Sequence, residues 1–229
     1  MPIAVNLKNI NARIATACRR AGRDPQSVRL VAVSKTKPAA DIEAAAAAGQ
    51  RLFGESYVQE FVAKVEEVRR DVEWHFIGAL QSNKVKYLRG KVALIHSVDR
   101  LSLAAEISRQ WQKLGRPADI LLQVNLGGEE SKSGADAADL LKLARQVTAL
   151  PGLHVRGLMT LPPWAEDPEA VRPHFRRLRQ LAEELAVLGL PNLEMRELSM
   201  GMSHDFEVAI EEGATLVRVG TAIFGERQR

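Results

Sequence analysis

The chain has 229 residues, of which 46% are hydrophobic and 26% are charged, and its formal net charge is +4. This composition is ordinary for a folded globular protein and excludes a disordered or fibrous chain. The longest apolar runs are too short to span a membrane, and the first ten residues reach asparagine and lysine too early for a secretory signal. We therefore expect a cytoplasmic protein without a membrane partner. The single cysteine, Cys18, is expected to be a packed thiol.

The basic residues are spread along the chain, and their densest group is RPHFRRLRQ at positions 172–180. Its arginines alternate with apolar residues at helical spacing, which is typical of a solvated helix face. We favour this interpretation over a nucleic-acid site, and we expect no nucleic-acid partner.

Taken in chain order, the sequence begins with an amphipathic helix around residues 6–22 and then alternates apolar strand-like runs with helical segments. The eight predicted strands lie in residues 29–35, 51–55, 74–80, 92–98, 120–126, 154–160, 194–200 and 216–224. Four of the helices between them are expected to end at a glycine C-cap, at Gly49, Gly115, Gly189 and Gly213.

Strict alternation of strands and helices predicts parallel strands joined by crossovers, in either an open doubly wound sheet or a closed barrel. Eight strands favour the barrel. We predict an α/β fold, a single (β/α)8 TIM barrel domain over residues 1–229, with an extra helix at the N-terminus.

In both architectures ligands bind at the carboxyl ends of the strands. The last two predicted strands end in small residues: Ser199, Gly201 and Ser203 after the seventh, and Gly220 and Thr221 after the eighth. Such residues let backbone amides and hydroxyls approach an anion closely, and barrels often bind a phosphate at these two loops. The pattern predicts a phosphate site.

Lys35 follows the first predicted strand and shares its parity with Val31 and Val33. It is either a lysine that reaches into solvent from a strand end or, opposite a phosphate site, an amine that forms a Schiff base with a phosphorylated aldehyde. Pyridoxal 5′-phosphate combines these two groups. Arg218 is either a surface arginine paired with a helix carboxylate or a donor to the pyridine nitrogen of this cofactor.

Six segments of the sequence resemble the pyridoxal phosphate homeostasis proteins, over nearly the whole chain. They are VAVSKTKP, FGESYVQE, WHFIGALQSNK, NLGGEESKSG, GLMTLP and LSMGMSHDFEVAIEEGATLVRVGTAIFG. The resemblance implies a barrel similar to the N-terminal domain of alanine racemase. It also implies a role in vitamin B6 homeostasis without an established catalytic turnover.

The same resemblance implies residue roles. The Schiff base falls to Lys35 and the pyridine contact to Arg218, and Ser56 stands near the cofactor ring where the family often has an asparagine. The phosphate contacts fall to Ser199, Met200, Gly201, Ser203, Gly220 and Thr221. The expected partners are pyridoxal phosphate, other B6 vitamers and apoenzymes that require the cofactor.

Two other functions remain open. A racemase of this type takes a second base, a tyrosine, from a C-terminal domain that a chain ending at Arg229 is expected to lack. Tyr57 and Tyr87 lie in predicted helices, where we interpret them as packing residues. A barrel that binds another phosphorylated metabolite would use Lys35 only as a point charge.

The remaining expectations concern assembly, metals and individual loop residues. We expect a monomer, because the second domain of the related racemases is expected to be missing. We expect no metal, because the five histidines form no pair at ligand spacing. The roles of Lys37, Glu129 and Lys132 are left open, the last two as parts of a lid over the barrel mouth.

Overall fold

A computed structural model of the chain describes residues 2–127 and 133–226. Its central feature is a closed barrel of eight parallel strands, each paired with the next in chain order, with the eighth paired to the first. The barrel strands are β1 Arg29–Val33, β2 Leu52–Glu55, β3 Glu73–Phe76, β4 Leu94–Val98, β5 Ala118–Asn125, β6 Leu153–Thr160, β7 Leu193–Ser199 and β8 Leu216–Val219. A two-residue strand, Ala135–Asp136, also pairs with β5.

Helices surround the barrel. They are α1 Ile3–Arg20, α2 Ala39–Ala47, α3 Val58–Glu67, α4 Leu101–Trp111, α5 Leu140–Thr148, α6 Arg172–Ala186, α7 Phe206–Glu211 and α8 Thr221–Phe224. A short 3₁₀ helix, Ser82–Tyr87, connects β3 to β4. The predicted TIM barrel and its additional N-terminal helix are therefore confirmed.

The hydrophobic residues form two separate clusters. The smaller cluster fills the barrel interior with one residue from each of six strands: Val31, Leu52, Leu94, Leu121, Met159 and Leu216. The larger cluster lies between the outer face of the strands and the helices. Because side chains alternate along a strand, this division tells which strand residues point into the barrel.

All four glycines expected at helix ends have positive φ, between 58° and 104°. The last predicted strand is shorter than expected, because Thr221–Phe224 is helical. On the basic helix α6, Arg172 binds Glu211 and Glu212, so this face is occupied by ion pairs. Among the described helices, the structure contains none long and apolar enough to cross a membrane.

Candidate cofactor site

The pairing of β1 with β8 brings Lys35 and Arg218 to the same part of the barrel. Val31 lies directly opposite Arg218 in the register of the two strands. Lys35 is four residues further along the chain, half-buried, and two residues past the end of β1. At about 3.3 Å per residue, Lys35 lies at most about 13 Å above the level of Arg218. Lys35 is thus at the barrel mouth and Arg218 is below it.

The backbone just before Lys35 is held by a buried ion pair. The hydroxyl of Ser34 donates a 2.6 Å hydrogen bond to Oε1 of Glu55, and Nζ of Lys64 donates to the carbonyl oxygen of Ser34 at 2.8 Å. Lys64 also lies 2.8 Å from Oε1 of Glu55. Burial raises the pKa of the Glu55 carboxyl, although Lys64 and Ser34 act in the opposite direction. Helix α3 therefore fixes the strand end from which Lys35 projects.

The residues after Lys35 form a turn. Thr36 has a φ of 63°, which is uncommon for a β-branched residue, and its N–H donates to Oε2 of Glu60 at 2.7 Å. Nζ of Lys37 donates to the carbonyl oxygen of Glu226 at 2.8 Å. Lys37 therefore contacts the backbone of the chain's last segment.

Arg218 lies inside the barrel and bridges three strands. Its Nη1 donates to Oγ of Ser199 at 2.6 Å, and its Nη2 donates to the carbonyl oxygen of Thr160 at 2.9 Å. Burial lowers the pKa of this guanidinium to about 10, while the charge of Asp205 opposes that shift. The alternative of a surface arginine paired with a helix carboxylate is wrong.

Ser199 and Met200 are held at the end of β7 rather than in the turn that follows it. The hydroxyl of Ser199 is fully buried and contacts both Arg218 and Nδ1 of His96, the latter at 2.8 Å. The N–H of Met200 donates to the carbonyl oxygen of Leu216. The Ser199 side chain thus stands beside Arg218 and away from the glycine turn.

The turn after β7 packs against the end of β8. Gly201 has a φ of 90°, and a Cβ at this position would lie 2.6 Å from Cβ of Ala209, so only glycine fits. The N–H of Gly220 donates to Oγ of Ser203 at 3.3 Å, and α8 begins at Thr221. Four of the predicted phosphate residues are therefore adjacent at the mouth.

Ser56 follows β2 and is half-buried. A Cβ on Gly78 would lie 2.2 Å from the carbonyl oxygen of Ser56, so the glycine allows the loop after β3 to approach Ser56 closely. Tyr57 and Tyr87 are 47% and 42% exposed, so their interpretation as residues packed in the core is wrong. Glu129 and Lys132 lie outside the described residues.

The residues that the sequence analysis missed are two histidines inside the barrel. Nδ1 of His75 lies 2.8 Å from Nε2 of His96. Strand parity could have placed His96 on the same face as Leu94, two residues away, whereas the interior position of His75 follows from its pairing with Leu94 in the structure. They were considered only as metal ligands. Within the described part of the chain, no three histidine, cysteine, aspartate or glutamate side chains are grouped to hold a metal.

Comparison with known proteins gives consistent matches over the whole chain. The family described as "Alanine racemase, N-terminal domain" matches residues 5–228. Two relatives, from Aquifex aeolicus and Pseudomonas aeruginosa, are 51% and 48% identical. The first alignment covers 97% of each chain, and the second covers 98% of this chain and 96% of the relative. Both relatives are named "Pyridoxal phosphate homeostasis protein".

Three solved structures are also similar. PipY of Synechococcus elongatus, with pyridoxal phosphate bound, is 41% identical with a TM-score of 0.85, and the match covers 97% of this chain and 100% of PipY. An unknown protein from Bifidobacterium adolescentis is 40% identical with a TM-score of 0.92, covering 97% and 94%. Alanine racemase from Corynebacterium glutamicum, at 19% identity with a TM-score of 0.69 and coverage of 96% and 62%, shares the fold. The chain therefore belongs to the pyridoxal phosphate homeostasis protein family, within the wider family of the alanine racemase N-terminal domain.

Proposed function

We propose that this protein binds pyridoxal 5′-phosphate as a Schiff base on Lys35 and serves vitamin B6 homeostasis as a carrier of the cofactor. The observation that carries the proposal is the convergence of Lys35, the buried Arg218 and the Gly201 turn on the adjacent strands β1, β8 and β7. Relatives are named for the same role, and PipY has the cofactor bound.

The residues at the mouth fit a planar, phosphorylated pyridine. A Cβ on Gly201 would lie 2.6 Å from Cβ of Ala209, and a Cβ on Gly220 would lie 3.1 Å from the carbonyl oxygen of Val33, so close packing holds both turns in place. Backbone and hydroxyl donors in such turns suit a phosphate. We assign the phosphate to Gly201, Ser203, Gly220 and Thr221, and the ring edge to Ser56.

Ser199 and Met200 receive a different role in this proposal. Because the Ser199 hydroxyl contacts Arg218 and the Met200 N–H belongs to the barrel ladder, we assign them to the support of the site. This assignment replaces the phosphate contact that the resemblance implied for these two residues.

Arg218 is the group that favours a carrier over an enzyme. The cofactor supplies an aldehyde that condenses reversibly with amines and a ring that can accept electrons. A charged guanidinium donating to the pyridine nitrogen keeps that nitrogen unprotonated and weakens the ring as an electron acceptor. We assign this contact to Arg218, so the site would retain and release the cofactor more readily than it would activate an amino acid. Apoenzymes that require the cofactor would be the recipients, and other B6 vitamers would compete for the site.

The test is borohydride reduction of the protein after addition of pyridoxal phosphate, followed by peptide mass mapping. We expect a yellow imine band and a reduced adduct at Lys35, both absent in Lys35→Ala. Lys37→Ala is the matched control, since it removes a lysine two residues away and should keep the band. An adduct spread over surface lysines in the unchanged protein would refute the Schiff base.

The competing functions give different results in the same experiment. Competition by inorganic phosphate without a reducible adduct would indicate that Lys35 acts only as a point charge for another metabolite. An adduct at Lys35 together with racemisation of amino acids at many turnovers per minute would indicate an enzyme. The proposal also takes the protein to be a cytoplasmic monomer, which light scattering and cell fractionation would test.

A further inference from the structure

A chain of hydrogen bonds crosses the barrel interior below the candidate site. Arg218 contacts Oγ of Ser199 at 2.6 Å, and Ser199 contacts Nδ1 of His96 at 2.8 Å. Nε2 of His96 contacts Nδ1 of His75 at 2.8 Å, and Nε2 of His75 contacts Oε1 of Glu73 at 3.0 Å. The four residues from Arg218 to His75 are buried, and the role proposed above uses neither histidine.

The chemistry of the five groups fixes the direction of every bond. Arginine can only donate, so the Ser199 oxygen accepts from Arg218 and its hydroxyl hydrogen is left for Nδ1 of His96. His96 then carries its proton on Nε2 and donates it to Nδ1 of His75. His75 in turn carries its proton on Nε2 and donates it to the Glu73 carboxylate. With both rings neutral, every member of the chain has a partner.

This series of hydrogen bonds ends at the opposite side of the barrel from the mouth. Glu73 is the first residue of β3, its side chain is 47% exposed, and it lines a cavity of about 280 Å³ at the amino ends of the strands. The other residues around this cavity include Arg29, Asp119 and Glu197. Solvent at this end is therefore connected to Arg218 by four consecutive hydrogen bonds.

We propose that His75 and His96 are positioning residues that orient Arg218 through Ser199. In this proposal, protonation of His75 from the amino end of the barrel reverses the direction of the hydrogen bonds between His75, His96 and Ser199 and weakens the contact between Ser199 and Arg218. This inference rests on the proposed function, since it concerns the residue assigned to the pyridine nitrogen. It assigns roles to Glu73, His75 and His96, and it makes cofactor retention dependent on pH.

Adding one proton to His75 makes both of its ring nitrogens donors. His96 must then accept at Nε2, so its neutral ring changes tautomer and carries its single proton on Nδ1, facing the Ser199 oxygen, while the added proton stays on His75. The hydroxyl hydrogen of Ser199 loses its acceptor in a fully buried position, and it has to turn away or compete with Arg218. The Arg218–Ser199 contact is therefore strongest when both histidines are neutral.

Burial favours the neutral state of both rings. Burial is the main cause that lowers the pKa of both His75 and His96, and the charge of Arg29 lowers both pKa values further. The lowering is larger for His96, on which His75 and Arg218 also act. Glu73, by its hydrogen bond and its charge, and Glu197 raise the pKa of His75. His75 should thus be the first ring to accept a proton as the pH falls.

The first test uses the protein without cofactor, so its outcome does not depend on the proposed function. Side-chain ¹⁵N NMR should show His75 and His96 as neutral rings protonated at Nε2 at about pH 7.5. His75→Asn and His96→Asn assign the signals, and His174→Asn, on helix α6, is the control. A charged ring, or a proton on Nδ1 of either histidine at this pH, would overturn the proposal.

The second test follows the guanidinium signals of Arg218 in the same samples as the pH is lowered. We expect them to shift together with the protonation of His75. Glu73→Gln, a change at a partly exposed side chain, should move that transition down by about one pH unit, because the carboxylate that raises the pKa of His75 is lost. The coupling would be refuted if the Arg218 signals did not shift when His75 is protonated. It would also be refuted if the pH of this transition were unchanged in Glu73→Gln.

The third test adds pyridoxal phosphate. Near pH 7.5, His75→Asn should keep the dissociation constant within about threefold, because the asparagine oxygen can replace Nδ1 as the acceptor for His96. His96→Leu should raise it about tenfold. Only proteins that keep both histidines should lose additional cofactor on acidification, because His96 links His75 to Ser199. Equal pH dependence in His75→Asn would sink the inference, whereas no imine in any variant would sink the proposed function and leave the first two tests valid.

Discussion

Nζ of Lys64 lies 2.8 Å from Oε1 of Glu55, and both side chains are almost completely buried between the barrel and helix α3. The same ammonium donates to the carbonyl oxygen of Ser34, the residue that precedes Lys35. The ion pair therefore connects the helix to two neighbouring strand ends. Its position suggests that it sets the geometry of the Lys35 segment.

Removing one member of this pair should be costly. Lys64→Met leaves the Glu55 carboxylate buried without its cation and should lower the free energy of unfolding by about 3–5 kcal/mol. The double variant Lys64→Met, Glu55→Gln should recover at least half of the loss. Urea unfolding of the cofactor-free protein measures both. Arg177→Met, which removes an exposed ion pair with Glu184, should cost no more than about 1 kcal/mol. Equal losses for Lys64→Met and Arg177→Met would contradict this view.

Gly201 should be far less tolerant of alanine than another glycine with nearly the same backbone conformation. Gly49 has a φ of 98° and no atom within 4 Å of the place that a Cβ would take, whereas Gly201, at 90°, would place a Cβ 2.6 Å from Ala209. Gly49→Ala should cost about 1 kcal/mol from backbone strain alone. Gly201→Ala should cost at least about 1 kcal/mol more and weaken cofactor binding. Thermal unfolding and spectral titration compare the two, and similar values for both would argue against a close-packed turn.

Stability should fall on mild acidification because of the two buried histidines. Their folded pKa values are lowered from the ordinary value of about 6.5, so below that pH the unfolded chain binds more protons than the folded one. The stabilisation that the two neutral histidines contribute is complete above about pH 6.5 and is lost as the pH falls through their folded pKa values. The free energy of unfolding should therefore drop more between pH 7.5 and 5.5 in the unchanged protein than in His75→Asn.

Comparing the unchanged protein with His75→Asn cancels a contribution to the free energy of unfolding that has the opposite sign. Burial raises the pKa of Glu55 and Asp205, so these carboxyls favour the folded state at low pH in both proteins. Parallel pH profiles for the unchanged protein and His75→Asn would show that His75 does not titrate as described.

Cys18 should be unreactive in the folded protein. Its side chain is fully buried on α1, and burial raises the pKa of the thiol, which reduces the thiolate fraction. A thiol reagent should label it only after unfolding in denaturant. Trp164→Cys supplies a positive control, since Trp164 is 75% exposed. Labelling of Cys18 as fast as the introduced cysteine would show that α1 detaches from the barrel.

The sequence alone predicted the barrel fold. It also placed Lys35 and the turns with Gly201 and Gly220 at the carboxyl ends of predicted strands. Alternating apolar runs and helical segments predicted eight strands because burial on both faces of a parallel sheet requires continuous apolar residues. Strand parity placed Lys35 in line with Val31, and the structure shows that Val31 faces the barrel interior. These inferences rely on local periodicity, which can be recognised from a single sequence.

Only the tertiary structure decided which polar side chains meet. His96 and Ser199 are 103 residues apart and become hydrogen-bonded because the barrel brings β4 and β7 to face each other across its interior. Strand parity gives the face on which a residue lies but gives neither its height nor its partner across the barrel. The link between the two histidines and the Ser199–Arg218 pair therefore depended on closure of the sheet, because pairing across a barrel is fixed by strand stagger and not by sequence spacing. The Lys64–Glu55 pair depended instead on how helix α3 packs back on the strand that precedes it.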